Sequence, residues 1–226
     1  MASPKNIAAS VRRRLYNLAK ERGDAFQILL TRYTVERLLY GLGQSPHRAG
    51  FILKGATLFS LWGDEPYRAT RDLDLLGIGE SDVSRLRDIF RELCRLQVQN
   101  DGIRFAPDTV DAVPIREEAD YGGVRVTLVG CLDQARVPVQ VDVGFGDALV
   151  PLPDDVSFPT ILDFPPPKLR AYRRETVVAE KFQAMVMLGT ADSRMRDSIV
   201  AYASSHSPER RPQAESLMGV EHPDRR

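Results

Sequence analysis

The sequence predicts an α+β fold in which helices open the chain, a mixed sheet fills its middle and a helical part follows. Three observations predict it. Before residue 45 apolar residues recur at helical spacing, with Ile7, Val11, Leu15 and Leu18 four, four and three apart. From residue 101 the texture changes to short Val- and Ile-rich runs, GIRF, TVDAVPI, VRVTLVGCL and VPVQVDVGF, separated by Gly, Pro, Asp or Asn. After a proline-rich stretch at 151–172, ETVVAEKFQAMVMLG restores the helical period.

Taken in order, the first helix covers 5–22, and Asp24 is expected to cap a second that runs through Leu38 and Leu39 and stops at Gly41 and Gly43. Ser45-Pro46 offers another helix start. GFILKGATLFSLWG then reads as a strand from Phe51 to Leu53, a turn at Gly55 and a helix carrying Leu58, Phe59, Leu61 and Trp62. DLDLLGI is a strand, after which Ser81 or Asp82 caps a helix with Val83, Leu86, Ile89, Phe90 and Leu93 on one side. The four runs after residue 101 are expected as hairpins in a mixed sheet. The stretch 151–172 reads as an extended connection and divides the chain into a 1–150 core with its N-terminal helices and a 151–202 linker with a helical part. There a helix at 175–189 ends at Gly189, and Asp192 or Ser193 caps another. Residues 203–226 carry several prolines and almost no large apolar residues, which predicts a disordered tail.

Composition narrows the chemistry. With 226 residues and 43% hydrophobic content the chain can bury a full core. No window approaches 18 uncharged apolar residues, and the N-terminus carries arginines where a signal peptide needs an apolar core, so no membrane association and a cytoplasmic protein are expected. Cys94 and Cys131 lack C-x-x-C spacing, which argues against a disulfide framework or a zinc site. The three histidines, His47, His206 and His222, are scattered, which argues against a Ser-His-Asp arrangement. Net charge is zero, so no global basic field announces nucleic acid, although Arg12, Arg13 and Arg14 form a local basic run.

The informative stretch is RATRDLDLLGI, residues 68–78. Residues two apart in a strand point to one side, so Asp72 and Asp74 project together while Leu73 and Leu75 enter the opposite layer. Two carboxylates that close repel unless a cation lies between them, and an oxygen-ligated divalent ion such as magnesium is the usual solution. In VPVQVDVGF the valines at 137, 139, 141 and 143 take one face and Gln140 and Asp142 the other. Asp142 completes an acidic cluster if its strand lies beside DLDLL, and three acids can hold two ions, an arrangement suited to in-line phosphoryl displacement. Lys54-Gly55-Ala56 ends a strand and opens a helix, a tight turn whose free N–H groups suit a triphosphate. Thr70 and Arg71, just before the acids, add a hydroxyl and a cation for phosphate contact.

These blocks, FILKGATLFSLW, RATRDLDLLG, YGGVRV, VQVDVGFGD, ETVVAEKFQAMV and DSRMRD, resemble in order the AbiEii/AbiGii toxin group of nucleotidyltransferase-like proteins, which includes the MenT toxins, from about residue 50 to 197. The resemblance implies a DNA-polymerase-β-like nucleotidyltransferase core, an NTP substrate used with magnesium, one ion or two, and a cognate antitoxin in a type IV toxin–antitoxin system. It also implies an RNA acceptor, since some relatives extend the tRNA 3′ end. Carried onto this sequence, Lys54, Gly55 and Ala56 form the phosphate turn, Asp72 and Asp74 the metal pair and Asp142 the later acid. Glu180-Lys181 and Ser193-Arg194-x-x-Asp197 match the two helical motifs, with Lys181 and Asp197 as catalytic residues and Glu180, Ser193 and Arg194 toward the nucleotide. Periodicity agrees for Lys181, which shares a helical face with Val177, Met185 and Leu188.

Two departures stand out. Ala56 replaces the serine common in such turns, leaving only backbone donors. After Asp197 the chain reads SIVAY and enters its polar tail, where the family continues with apolar and aromatic residues, so a truncation or frameshift is expected there. Two other functions are compatible with these motifs: a catalytically inactive or truncated relative acting by nucleotide, RNA or antitoxin binding, and an antibiotic-modifying nucleotidyltransferase.

Overall fold

The computed structural model of the chain describes residues 6–62, 72–115, 122–146 and 151–180. Helix α1 spans Ile7–Arg22, with the Asn6 side chain accepting from the Ala9 N–H at 3.1 Å and Gly23 closing it in the left-handed region. Helix α2 spans Phe26–Gln44. A 3-10 turn at Arg48–Gly50 leads into β1, Phe51–Lys54, which is followed by a 3-10 turn at Gly55–Leu58 and the one-turn helix α3, Phe59–Trp62. Strand β2 is Asp72–Gly77 and helix α4 is Val83–Arg95. Five strands follow: β3, Ile103–Ile115; β4, Gly123–Leu132; β5, Ala135–Gly144; β6, Asp154–Ser157; and β7, Lys168–Ala171. A further helix begins at Arg174 and is described to Glu180.

The strands form one mixed sheet in the order β3-β4-β5-β2-β1-β7-β6. Pairings β2/β5 and β1/β7 are parallel and the remainder antiparallel. The α+β class with a mixed sheet and N-terminal helices is as the pattern predicts. Val139, Val141 and Val143 of β5 and the leucines at 73 and 75 are all buried, joined by Leu38, Leu39 and Leu42 of α2 and by Leu86, Ile89, Phe90 and Leu93 of α4. At about 1.5–3 kcal/mol for each large apolar side chain removed from water, this cluster supplies the main drive for closing the sheet. A second cluster, with Val11, Leu15, Leu30, Tyr33, Leu132 and Val137, docks α1.

Several expectations are corrected. Asp24 does not cap α2; the N-cap is Ala25, without a side-chain bond, and the Asp24 N–H instead donates to Ala19 O at the end of α1. Nor does α2 stop at Gly41 and Gly43. Gly43 serves close packing, because a Cβ there would lie 2.8 Å from the Lys168 carbonyl oxygen of β7. Ser45-Pro46 starts no α-helix; the Ser45 hydroxyl folds back onto Leu42 O at 2.8 Å. Asp82 alone caps α4, its Oδ1 accepting from the N–H groups of Ser84 and Arg85 at 2.8 and 3.0 Å. GIRF and TVDAVPI are one strand with a register shift between Ala106 and Asp111. Thr109 holds that irregularity, its hydroxyl donating to Ala106 O at 2.7 Å and accepting from Val129 N–H at 3.0 Å. The 151–172 stretch is built into the sheet through β6 and β7. Most of the expected 175–189 helix, the Asp192 or Ser193 cap and the 203–226 tail lie outside the described residues. Among the described residues no helix is long and apolar enough to cross a membrane.

One buried cation ties three segments together. Arg37 of α2 has a side chain with no exposed area. Its Nε donates to Asp101 Oδ2 at 2.5 Å, its Nη1 donates to Pro165 O at 2.9 Å, and its guanidinium stacks 4.1 Å from the Tyr40 ring centroid. Tyr33 donates its hydroxyl to Asp101 O at 2.7 Å, so the turn before β3 and the strap before β7 are both fastened to α2. Removing one member of such a pair strands the other as an uncompensated charge, at about 3–5 kcal/mol. Arg37→Met is therefore expected to lower the unfolding free energy by that amount in urea titration; a loss below about 1 kcal/mol would show that the pair does not carry the strap.

Candidate functional site

The predicted residues meet where β1, β2, β5 and β4 lie side by side. Register places Lys54 opposite Asp74, Asp74 opposite Asp142, and Asp142 opposite Arg125. Directly paired residues share a face, so the four side chains form a row across the sheet with charges plus, minus, minus, plus. Asp72 stands one step along the same face, opposite Gln140, and is exposed, whereas Asp74 and Asp142 are half-buried.

Each end of the row is held differently. Arg125 forks Asp142, donating from Nε to Oδ1 and from Nη2 to Oδ2, both at 2.8 Å. This hydrogen bond raises the Arg125 pKa above its ordinary value, and the charges of Asp142 and Asp72 add to the effect. With its amide oxygen turned to the fork, Gln140 also accepts from Arg125 Nε and Nη2 at 3.1 and 3.2 Å. At the other end the Lys54 side chain reaches over β5, since a Cβ on Gly144 would sit 3.2 Å from its Nζ. The missing side chain at 144 is what leaves room for the ammonium group.

The turn after Lys54 is as expected, strand end to helical turn, with no side chain of Lys54 capping the first N–H groups. Gly55 has φ +71, and a Cβ there would fall on the Asp74 carboxyl, 2.7 Å from Cβ and Cγ. Both the backbone conformation and the close approach require glycine. Ala56 follows inside the 3-10 turn.

Asp72 opens onto a cleft of about 100 Å³, also lined by Arg22, Arg32, Glu36, Thr57, Ser60 and Thr160. A larger cavity, about 150 Å³ between Pro46, Phe51, Ile78, Leu86 and Phe145, lies at the Gly77 end of β2, away from the acids. Glu36 is 1% exposed. Its Oε2 accepts from the Ile161 N–H at 2.7 Å and its Oε1 lies 3.5 Å from Arg37 Nη1. Burial pushes its pKa up to about 7 against the opposing pull of both partners.

Lys54, Gly55, Ala56, Asp72, Asp74 and Asp142 are thus brought together. Glu180 is half-buried at the end of the described part of the helix that follows β7. Thr70, Arg71, Lys181, Ser193, Arg194 and Asp197 lie outside the described residues. Sequence reasoning missed Arg125 and Glu36. Arg125 takes an ordinary polar position in the alternation of VRVTL, and Glu36 is an acid set among apolar residues in TVERLLY, but only the register and the burial give either a partner.

Residues 37–203 match the family model for the nucleotidyl transferase AbiEii toxin of type IV toxin–antitoxin systems. The chain belongs to the AbiEii family. The match contains every acid of the row and the Gly55 turn, and α1 precedes it. Among solved structures, JHP933 from Helicobacter pylori is 17% identical, with a TM-score of 0.39 over 71% of this chain and 58% of that protein. A second H. pylori protein, named as a candidate nucleotidyltransferase, is 15% identical, with a TM-score of 0.39 over 70% of this chain and 58% of its own. The AbiEii chain thus spans a little over half the length of these neighbours. No curated protein matches it.

Two outcomes follow from this geometry. Gly55→Ala forces a strained φ and displaces Asp74, and is expected to lower the unfolding free energy by about 1–3 kcal/mol in urea titration. Glu36 binds its proton more tightly in the folded than in the unfolded chain, so its stabilisation is complete below pH 4.5 and is lost as pH rises through about 7. Comparing urea midpoints at pH 4.5 and 8, Glu36→Gln is expected to flatten the wild-type decline, by about 3 kcal/mol at most; parallel profiles would remove Glu36 as its source.

Proposed function

We propose that this AbiEii protein is a metal-dependent nucleotidyltransferase toxin that moves NMP from an NTP to an RNA acceptor, with the tRNA 3′ end as the acceptor the family resemblance favours. The observation that carries the reading is the in-register row Lys54, Asp74, Asp142, Arg125 with the Gly55 turn pressed against Asp74.

Magnesium fits what this chain offers, with a division of labour among the acids. Asp72 and Asp74 present hard carboxylate oxygens on one face, and Asp72 is open to the cleft. Asp142 has both oxygens engaged by Arg125. Among the described residues no group of three or more His, Cys, Asp or Glu side chains is disposed to hold a metal, so substrate phosphates and water would complete the shell. When bound, the ion neutralises phosphate charge and stabilises the departing pyrophosphate.

The chain's own groups then have distinct tasks. The Gly55 turn offers backbone N–H donors, and Lys54 a cation, to the triphosphate. The acceptor hydroxyl oxygen attacks the α-phosphorus, forming one P–O bond as the bond to the β-phosphate bridging oxygen breaks and pyrophosphate leaves. Arg125 fixes Asp142 by the fork, and the carboxylate keeps lone pairs with which to take the hydroxyl proton. Thr70, Arg71, Glu180, Lys181, Ser193, Arg194 and Asp197 keep the roles that the resemblance implies, and a cognate antitoxin and a cytoplasmic setting belong to the same reading.

The engaged state of Asp142 also suits a binding-only relative, which keeps the turn and the row without turnover. Incubating the purified chain with each α-labelled NTP, magnesium and total tRNA separates the two. Label is expected on RNA with one NTP, and Asp72→Ala, Asp74→Asn or metal chelation is expected to reduce it at least about 100-fold with the fold intact. A folded protein that transfers no label from any NTP would leave the binding-only relative.

A further inference from the structure

Helix α1 precedes the family match and carries a dense cationic face of its own. Arg12, Arg13, Arg14, Lys20 and Arg22 are all exposed, and Glu21 is the only acid on the helix. In a chain of zero net charge this is a concentration rather than an average. Lys20 and Arg22 lie in the last turn, where the helix dipole favours cations, but Arg12, Arg13 and Arg14 lie mid-helix, where it does not account for them.

Aromatic rings interleave with these charges. Tyr16, 42% exposed, has Arg13 and Lys20 at 5.8 and 6.0 Å from its ring centroid. Arg12 lies 6.0 Å from the Phe26 centroid and Arg14 5.8 Å from that of Phe164. Arg12 is also 3.8 Å from Asp133. Flat guanidinium groups beside an accessible ring suit phosphates and an unstacked base together. The face also leads to the site, for Arg22 at the end of α1 and Arg32 of α2 line the cleft onto which Asp72 opens.

We propose that α1 is an RNA-docking helix, in which Arg12, Arg13, Arg14 and Lys20 take backbone phosphates, Tyr16 stacks a base, and Arg22 and Arg32 lead the strand into the Asp72 cleft. This rests on the reading of the substrate as RNA. An acidic protein would answer the charge, but it gives no use to a stacking ring or to a basic path that ends at the catalytic acids.

The test measures binding alone, by fluorescence anisotropy of a labelled tRNA transcript with the full chain across a salt series. Arg13→Glu and Lys20→Glu are each expected to weaken binding about fivefold or more and to lower the slope of log K against log salt by about 0.7–0.9, one phosphate contact each. Tyr16→Ser is expected to weaken binding about fivefold or more with the slope unchanged. Arg85→Glu, exposed on α4 beside the cavity at the Gly77 end of the sheet, should change neither. Wild-type chain that fails to bind the transcript, or α1 variants that bind like wild type, would overturn the proposal. So would poly-L-glutamate that displaces the transcript as well as unlabelled RNA does at equal charge, which would make the face a protein-docking surface. Because nucleotidyl transfer is assayed separately, transfer with indifferent α1 variants sinks this proposal alone, and RNA binding with the expected dependences but no transfer sinks only the enzymatic reading.

Discussion

The site depends on the parallel pairing of β2 with β5, which sets Asp74 directly beside Asp142. Two carboxylates in one row repel, and the sheet offsets this by placing a cation at each end, Lys54 on β1 and Arg125 on β4. A slip of one residue in any of these strands would turn its charged side chain to the opposite layer, among the valines of β5 and the leucines of β2. The apolar face therefore enforces the polar one: burying Leu73, Leu75, Val139, Val141 and Val143 fixes the register that aligns the charges. Core packing and site geometry are two faces of a single constraint.

The cleft beside this row has a wall of a different kind. Arg37 fastens α2 to the strap before β7, and the neighbouring Glu36 takes the Ile161 N–H of the same strap. A helix, a strap and the turn after β1 thus meet at Asp72. The buried acid and cation are adjacent in sequence, so a local pair of residues positions segments far apart in the chain.

Much of this was legible from residues alone, and the reasons are specific. Period-2 burial identified β2 and β5 and put Asp72, Asp74 and Asp142 on polar faces, because a strand's alternation reports its layers directly. Gly55 was legible as a turn, although its contact with Asp74 was not, since nothing local specifies which side chain lies under a glycine. The Arg125 fork and the buried state of Glu36 depend on pairings between distant segments and leave no periodic trace. Gly43 misled for a related reason: glycine signals both helix ends and close helix–strand packing, and only the position of β7 separates them. The acids are where the sequence put them, on one face of the adjacent strands β2 and β5.

The parallel β2/β5 and β1/β7 pairings also bear on when the row comes into being during synthesis. Asp72 and Asp74 are made early, but the strand that aligns Asp142 with them ends only at residue 144, and β7 joins β1 later still. Such non-local pairings form slowly, after the loop between them has closed. A nascent chain therefore carries its first two acids, with Lys54 already made before them, for some time without Arg125 and the third acid that complete the row. In this family member, synthesis of the first two acids is thus separated from assembly of the complete row.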